Sequence, residues 1–217
     1  MLENKKHVFW QALFVTVLLF LMGFVLGVYI EQLRSDSLSI SFYQSEVSLY
    51  DSLALGKIIG DSSASCEDLK KISINFADRV YNEAKNLEKY DEKNKLTNSI
   101  KTIHKKYDLL RTLLWMNAID IGKKCGKIND VVYLYEYSTN DIGIKSKQIV
   151  WERVLNDLKS KEGSNLILIP IAVDQDIESL SYLIGKYGIK SYPAVLINEK
   201  DILYQPKTIE EIGNYLK

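Results

Sequence analysis

From Val8 to Ile30 the chain reads VFWQALFVTVLLFLMGFVLGVYI, an unbroken run without a charged side chain. A helix rises about 1.5 Å per residue, so a segment of this length crosses the roughly 30 Å hydrocarbon core of a bilayer with some tilt. Trp10 and Tyr29 stand near its opposite ends, where aromatic rings favour the interface. The run is longer than the roughly 7–15-residue apolar core of a signal peptide, and no A-x-A-like cleavage site follows Tyr29. An uncleaved transmembrane anchor over residues 8–30 is therefore expected. Lys5 and Lys6 precede the run, whereas Arg34 is the only cation between it and Lys57. By the positive-inside rule residues 1–7 are cytoplasmic and residues 31–217 extracytoplasmic.

Beyond the anchor, Leu33, Ile40, Tyr43, Val47, Tyr50, Leu53 or Ala54, and Ile58 recur at helical spacing, with no Pro or Gly before Gly56. This predicts one helix continuing to about Lys57 with those residues on its packed face. Gly60-Asp61-Ser62-Ser63 reads as a turn, and Ser65 as an N-cap with Asp68 in the capping-box position. A second helix places Leu69, Ile72, Phe76, Val80, Ala84 and Leu87 on one face. The polar stretch from Glu88 to Asn94 predicts a reversal. A third helix carries Leu96, Ile100, Ile103, Tyr107, Leu110, Leu114 and Ile121, the first six in a heptad-like seam, and ends between Gly122 and Gly126. Residues 31–127 are thus expected to form a helical hairpin or three-helix stalk with coiled-coil character.

The only two cysteines, Cys66 and Cys125, fall at the start of the second helix and the end of the third. In an antiparallel hairpin these points meet, and a bond between them would remove about 3–4 kcal/mol of denatured-state entropy. Such a bond needs an oxidising compartment, in agreement with the outward orientation. A redox-active pair is the alternative, but no Cys-x-x-Cys is present and neither thiol has a nearby His.

Near residue 128 the periodicity changes. Val131–Tyr137 is rich in β-branched and aromatic residues and reads as a strand. Ser138–Asp141 turns the chain and caps a helix with Ile144, Ile149 or Val150, Trp151, Val154 and Leu158 on its apolar face, ended by Gly163. Leu166–Val173 reads as a buried parallel strand. A helix from Asp174 to Tyr187 is closed by Gly188. Ala194–Ile197 and Asp201–Tyr204 are further strands, and Thr208 with Glu211 caps a last helix through Leu216. The order is β-α-β-α-β-β-α.

That order, together with YGIKSYPAVLI from Tyr187 to Ile197, resembles the thioredoxin family over residues 129–217. The expected fold class is accordingly α+β or α/β: a transmembrane helix, a helical stalk over 31–127, and a thioredoxin-like α/β domain over 128–217. The resemblance implies that Pro193 is a cis-proline. It also implies that Asp141 and Ile144 stand where the family has its two reactive cysteines. An aspartate cannot exchange disulfides and isoleucine is inert, so redox chemistry at this turn is excluded. By the same resemblance the peptide-binding edge would comprise Asp141, Ile142, Gly143, Ile144, Tyr192 and Pro193.

Other chemistry has little support. Lys plus Arg number 28 and Asp plus Glu number 28, which leaves no cationic excess for nucleic acid. His7 lies at the cytoplasmic edge and His104 is expected on a solvated face of the stalk. Asp174 and Asp176 read as helix-capping residues rather than metal ligands. No metal, cofactor or catalytic residue is expected. The leading expectation is a non-enzymatic, chaperone-like or assembly module that binds another extracytoplasmic or membrane protein. The alternatives are a stalk that pairs with another membrane protein or a second copy, and an oxidoreductase using Cys66 and Cys125. The lipid bilayer is a partner in each.

Overall fold

The computed structural model describes residues 5–61, 63–94, 98–126 and 128–216; the side chains at 5–7, 34–39, 41–42, 86–94 and 98–100 are not part of that description. The contributions foreseen for Lys5, Lys6, His7, Arg34, Ser62, Leu87, Leu96 and Ile100 thus lie outside the described residues. The chain divides into two compact units, Met1–Tyr43 and Gln44–Lys217.

The described residues of the first unit, 5–43, lie within α1 (Lys5–Gly60). Within it Val8–Leu33 has a mean hydropathy of 2.7 and no buried side chain, and it is long and apolar enough to cross a membrane. The hydroxyl of Thr16 donates to the carbonyl of Ala12 at 2.9 Å, so this polar atom is satisfied within the helix.

In the second unit the remainder of α1 is followed by α2 (Cys66–Asn94) and α3 (Asn98–Cys125). Helix α2 runs through the polar stretch where a reversal was expected. Charged residues with good helix propensity continue a helix as readily as they end one when no Gly or Pro intervenes. The inward face of α1 also differs from the one anticipated. Val47 and Tyr50 are 69% and 70% exposed, and Ile40, Tyr43, Leu53 and Ile58 are exposed as well. The buried positions are Ser45, Ser48, Ser52, Leu55 and Ile59. Asn117 donates from Nδ2 to the carbonyl and hydroxyl oxygens of Ser52, at 3.1 and 3.2 Å. A Cβ on Gly56 would lie 3.1 Å from Asn117 Oδ1. Small side chains let the backbones approach, and side-chain hydrogen bonds satisfy the polar atoms so enclosed. On α2, Leu69, Phe76, Val80 and Ala84 are buried as expected, whereas Ile72 is exposed and Ser73 and Ala77 replace it inside. On α3 the expected Ile103, Tyr107, Leu110, Leu114 and Ile121 are buried.

A four-stranded mixed sheet completes this unit: β1 (Asp130–Tyr135), β2 (Ile167–Ala172), β3 (Ala194–Ile197) and β4 (Asp201–Leu203), in the order β2-β1-β3-β4. Strands β1 and β2 are parallel, and β1/β3 and β3/β4 are antiparallel. Helices α4 (Ile142–Glu162), α5 (Glu178–Tyr187) and α6 (Ile209–Leu216) connect or follow them. Trp151, Leu155 and Leu158 of α4 and Ile212 and Leu216 of α6 pack on Val131, Tyr133, Leu168, Val195 and Ile197. The expected Trp151, Val154 and Leu158 face this core, joined by Leu155, whereas Ile149 and Val150 are exposed. The alternate strand residues Val132, Leu134, Ile169, Ile171, Ala194 and Leu196 point to the opposite face and are equally buried. Helix α3 packs along β2 and touches α5. Helix α5 begins at Glu178 rather than Asp174, because the Asp174 carboxylate is committed elsewhere and Asp176 takes a positive φ of 51°. Its C-cap is Gly188 in the left-handed region. Thr208 and Glu211 form the expected reciprocal capping pair, at 2.9 and 3.3 Å.

Strand β2 is an edge, and α3 closes it. The N–H groups of Ile167 and Val173 point to β1, so that of Ala172 points outward. It donates to Asp108 Oδ1 at 3.1 Å, and the outward position before it is Pro170, which has no N–H to satisfy. Asp108 is 1% exposed and accepts from Arg111 Nη1 at 3.3 Å. Burial pushes its carboxyl up to about 6, against the opposing pull of Arg111 and the Ala172 N–H. The folded state therefore holds a proton that the unfolded chain has released between about pH 4 and 6. Stability from this group is full below the unfolded carboxyl value and is lost as pH rises through about 6, by on the order of 3 kcal/mol. In denaturant melts at pH 4, 5, 6 and 7, Asp108→Asn should show a smaller fall over this window than the native chain. Parallel profiles would mean that Asp108 is ionised throughout.

Candidate functional site

The C-terminal ends of β1 and β2 lie side by side, and several of the expected site residues gather there. The Asp174 carboxylate accepts the backbone N–H groups of Tyr137 and Ser138 at 2.9 and 2.8 Å, which fixes the chain as it leaves β1. Asp174 is thus a structural acceptor, and no cluster suited to a metal ion occurs among the described residues. Asp141 is the N-cap of α4, and its Oδ1 accepts from Gly143 N at 2.7 Å and from Ile144 N at 3.1 Å. A Cβ at Gly143 would lie 3.1 Å from that same oxygen, so glycine leaves room for the cap. Ile142 is 81% exposed and Ile144 is half-buried.

The Tyr192–Pro193 bond is cis. Pro193 is buried just before β3, and Tyr192 is half-buried. The antiparallel register pairs Leu134 with Ala194, and its continuation sets Tyr192 opposite Glu136. Burial pushes the Tyr192 phenol up, helped by the charge of Glu136 and by Tyr204. Tyr192 and Pro193 thus share the end of β1 with the Asp141 turn, although among the described residues no hydrogen bond joins Tyr192 to residues 141–144.

Cys66 and Cys125 are joined in a disulfide, with Cα atoms 5.3 Å apart. It lies against a small core of Leu55, Ile59, Leu69 and Ile121, which Cys125 itself touches.

A cavity of about 300 Å³ was not foreseen from the sequence. One wall is the row Tyr133, Tyr135 and Tyr137, on one face of β1 and its extension. The rings of Tyr133 and Tyr135 stack at 5.4 Å, nearly parallel. Lys85 of α2 and His104 and Arg111 of α3 also line it. His104 is 7% exposed, contrary to the solvated position expected of it, and its ring lies 4.6 Å from that of Tyr137. Helix α4 supplies Gln148, Glu152 and Asn156. The cavity is firmly framed. Gln148 both donates to and accepts from the backbone of Glu136, at 3.0 and 3.1 Å. Tyr81 donates to Asn156 Oδ1 at 2.7 Å, and Lys159 pairs with Asp78 at 2.7 Å, which ties α2 to α4. Burial, then Tyr135 and Glu152, push the Tyr133 phenol far up, so it stays a neutral donor, here to the carbonyl of Gln148 at 3.4 Å. The period-two recurrence of tyrosine was the legible signal. The lining from α2 and α3 had none, because its residues come from two helices far from the strand in sequence.

No family model, no curated protein and no solved structure matches this chain.

Proposed function

We propose that the protein is a single-pass membrane protein whose outer part is a thioredoxin-like binding module without thiol chemistry. In this reading Val8–Leu33 crosses the bilayer, the N-terminus is cytoplasmic, and Gln44–Lys217 is extracytoplasmic. The observation that carries it is the Asp141 cap. The thioredoxin family has a thiol activated at a helix N-terminus at the corresponding position. Here a carboxylate occupies the place and spends itself on Gly143 and Ile144 N–H. The strand order β2-β1-β3-β4, with only the first pair parallel, and the cis bond before Pro193 support the same reading. The ligand is an extended segment of another extracytoplasmic or membrane protein. It pairs its backbone beside Tyr192 and rests side chains on the exposed Ile142. Such a role is chaperone-like or assembly-related rather than enzymatic.

Two measurements test it. Labelled unfolded peptides titrated against the full chain in detergent should bind, and Tyr192→Ala should change which peptides are preferred while leaving the fold intact. Absence of binding at high micromolar concentration, or turnover of a disulfide substrate, would defeat the reading. An impermeant thiol label on intact cells should reach a cysteine placed at Lys200; labelling only after lysis would reverse the orientation.

A second reading is favoured by one observation. Val47, Tyr50, Leu53 and Ile58 form an exposed apolar stripe on α1, opposite its buried serines. A membrane partner or a second copy packing there makes the helical region the functional surface. Crosslinking from Tyr50 in native membranes separates the two, because only this reading predicts a product.

A further inference from the structure

We propose that the exposed stripe of α1 is the seam of a parallel, in-register pairing with a second copy of this chain. The inference rests on the membrane-spanning reading and on the second reading above, and it names the partner that the latter leaves open.

Spacing is the first argument. Ile40, Tyr43, Val47, Tyr50 and Ala54 follow one another at alternating steps of three and four in the sequence. That repeat keeps one face of a helix against another helix running alongside it. In the second unit Val47, Tyr50 and Ala54 are all exposed, while Ser45, Ser48, Ser52 and Leu55 of the same helix are buried. Direction is the second. Copies anchored through Val8–Leu33 insert with one orientation, so their α1 helices run parallel. Confinement to one membrane also supplies the effective concentration that a short seam needs. The flanks are the third. In a parallel pair the residue flanking the seam on one side of a helix meets the residue flanking it on the other side of the partner, in the next repeat. Leu53 and Ile58 hold such a pair of positions and are 46% and 49% exposed. A second copy in register sets leucine against isoleucine twice, once on each side of the axis. Beside Ile58 a groove of about 230 Å³ between α1 and α2, lined by Ala54, Ile58, Ile72 and Phe76, receives that leucine. Glu46 and Asp51 hold the equivalent flanking positions one repeat earlier. Glu46 pairs with Lys106 and Asp51 with Arg79, so each acid is balanced within its own chain and does not oppose the pairing.

Crosslinking of the full chain in native membranes tests this. The two native cysteines are joined to each other, so a cysteine added to the chain is its sole free thiol. Under mild oxidation Tyr50→Cys should give a product of twice the 24.9 kDa chain mass, at least about tenfold above that from Lys161→Cys on the exposed surface of α4. Two differently tagged chains, one with Leu53→Cys and one with Ile58→Cys, should join to each other at least about threefold more than either joins to itself. Adding Val47→Glu should cut the Tyr50→Cys product at least about fivefold and leave the circular dichroism spectrum unchanged, because Val47 is 69% exposed. A Tyr50→Cys product no greater than that from Lys161→Cys, equal self- and cross-joining at 53 and 58, or a product indifferent to Val47→Glu would each overturn the proposal. A photoreactive residue in place of Tyr50 separates its failure from that of the reading beneath it. Products only at masses other than the dimer would remove the second copy and keep the stripe as a functional surface; no product at any mass would overturn both.

Discussion

Replacing Cys66 and Cys125 together by serine should lower the unfolding temperature of the detergent-solubilised full chain by about 10 °C. The bond closes a loop with a sequence separation of 59. In the chain-entropy model such a loop is worth about 4 kcal/mol through the denatured state. For a unit of this size each kcal/mol moves the midpoint by about 2–4 °C. The loss should reach the whole of Gln44–Lys217 and not the helices alone. Both bridged helices lean on β2, and Asp108 of α3 satisfies the Ala172 N–H of that strand. Either single variant should lose about as much as the double, because one serine already breaks the crosslink. A midpoint change below about 2 °C would mean that Leu55, Ile59, Leu69 and Ile121 hold the helix ends together without the bond.

The elements of this protein were legible because each is marked by local chemistry. The charge-free run from Val8, the Asp141 and Thr208 caps, the Gly188 stop and the Tyr192–Pro193 pair act within a few residues of their effect. What resisted reading were the faces. On α1 the apolar residues suggested an inward stripe, yet Ser45, Ser48 and Ser52 are the buried ones. Serine side chains are small enough for close helix approach, and their polarity is met only by partners such as Asn117 that are distant in sequence. His104 misled for a related reason. Its neighbour Tyr137 belongs to the extension of a strand, and no helical periodicity points to it. The site followed the same division. The Asp141 cap was legible from turn chemistry and the cis bond before Pro193 from the resemblance over Tyr187–Ile197, whereas the cavity depends on how α2, α3 and α4 meet β1. The expected boundary near residue 128 rests on a real change of periodicity, from helical to strand. Periodicity reports local conformation and carries no information on whether the elements on either side share a core.

Trp115→Ala tests that sharing and should cost about 3–5 kcal/mol, the usual range for a buried tryptophan. Trp115 is fully buried on α3, and two of its contacts, to Tyr187 and Glu199, lie in the α/β part of the chain. Its ring stacks on Tyr187 of α5 at 5.4 Å, and Nε1 donates to Glu199 Oε1 at 3.2 Å. Glu199 and Asn198 form the tight β3–β4 turn with φ values of 54° and 51°, a conformation that a non-glycine residue adopts at a cost. Burial, and then the nearby Glu199 carboxylate, push the Asp130 carboxyl up, so the Trp115 N–H sits beside two acids that cannot both ionise cheaply. Trp115→Phe keeps most of the stacking and loses this donor, and should cost only about 1–3 kcal/mol. The decisive readout is the shape of the melt followed by near-ultraviolet circular dichroism and by backbone ellipticity. One transition, shifted equally in both signals, is expected if α3 and the sheet fold as a unit. Separate transitions, with the Trp151 environment surviving in Trp115→Ala, would mean that the helices and the sheet are independent modules joined at residue 128.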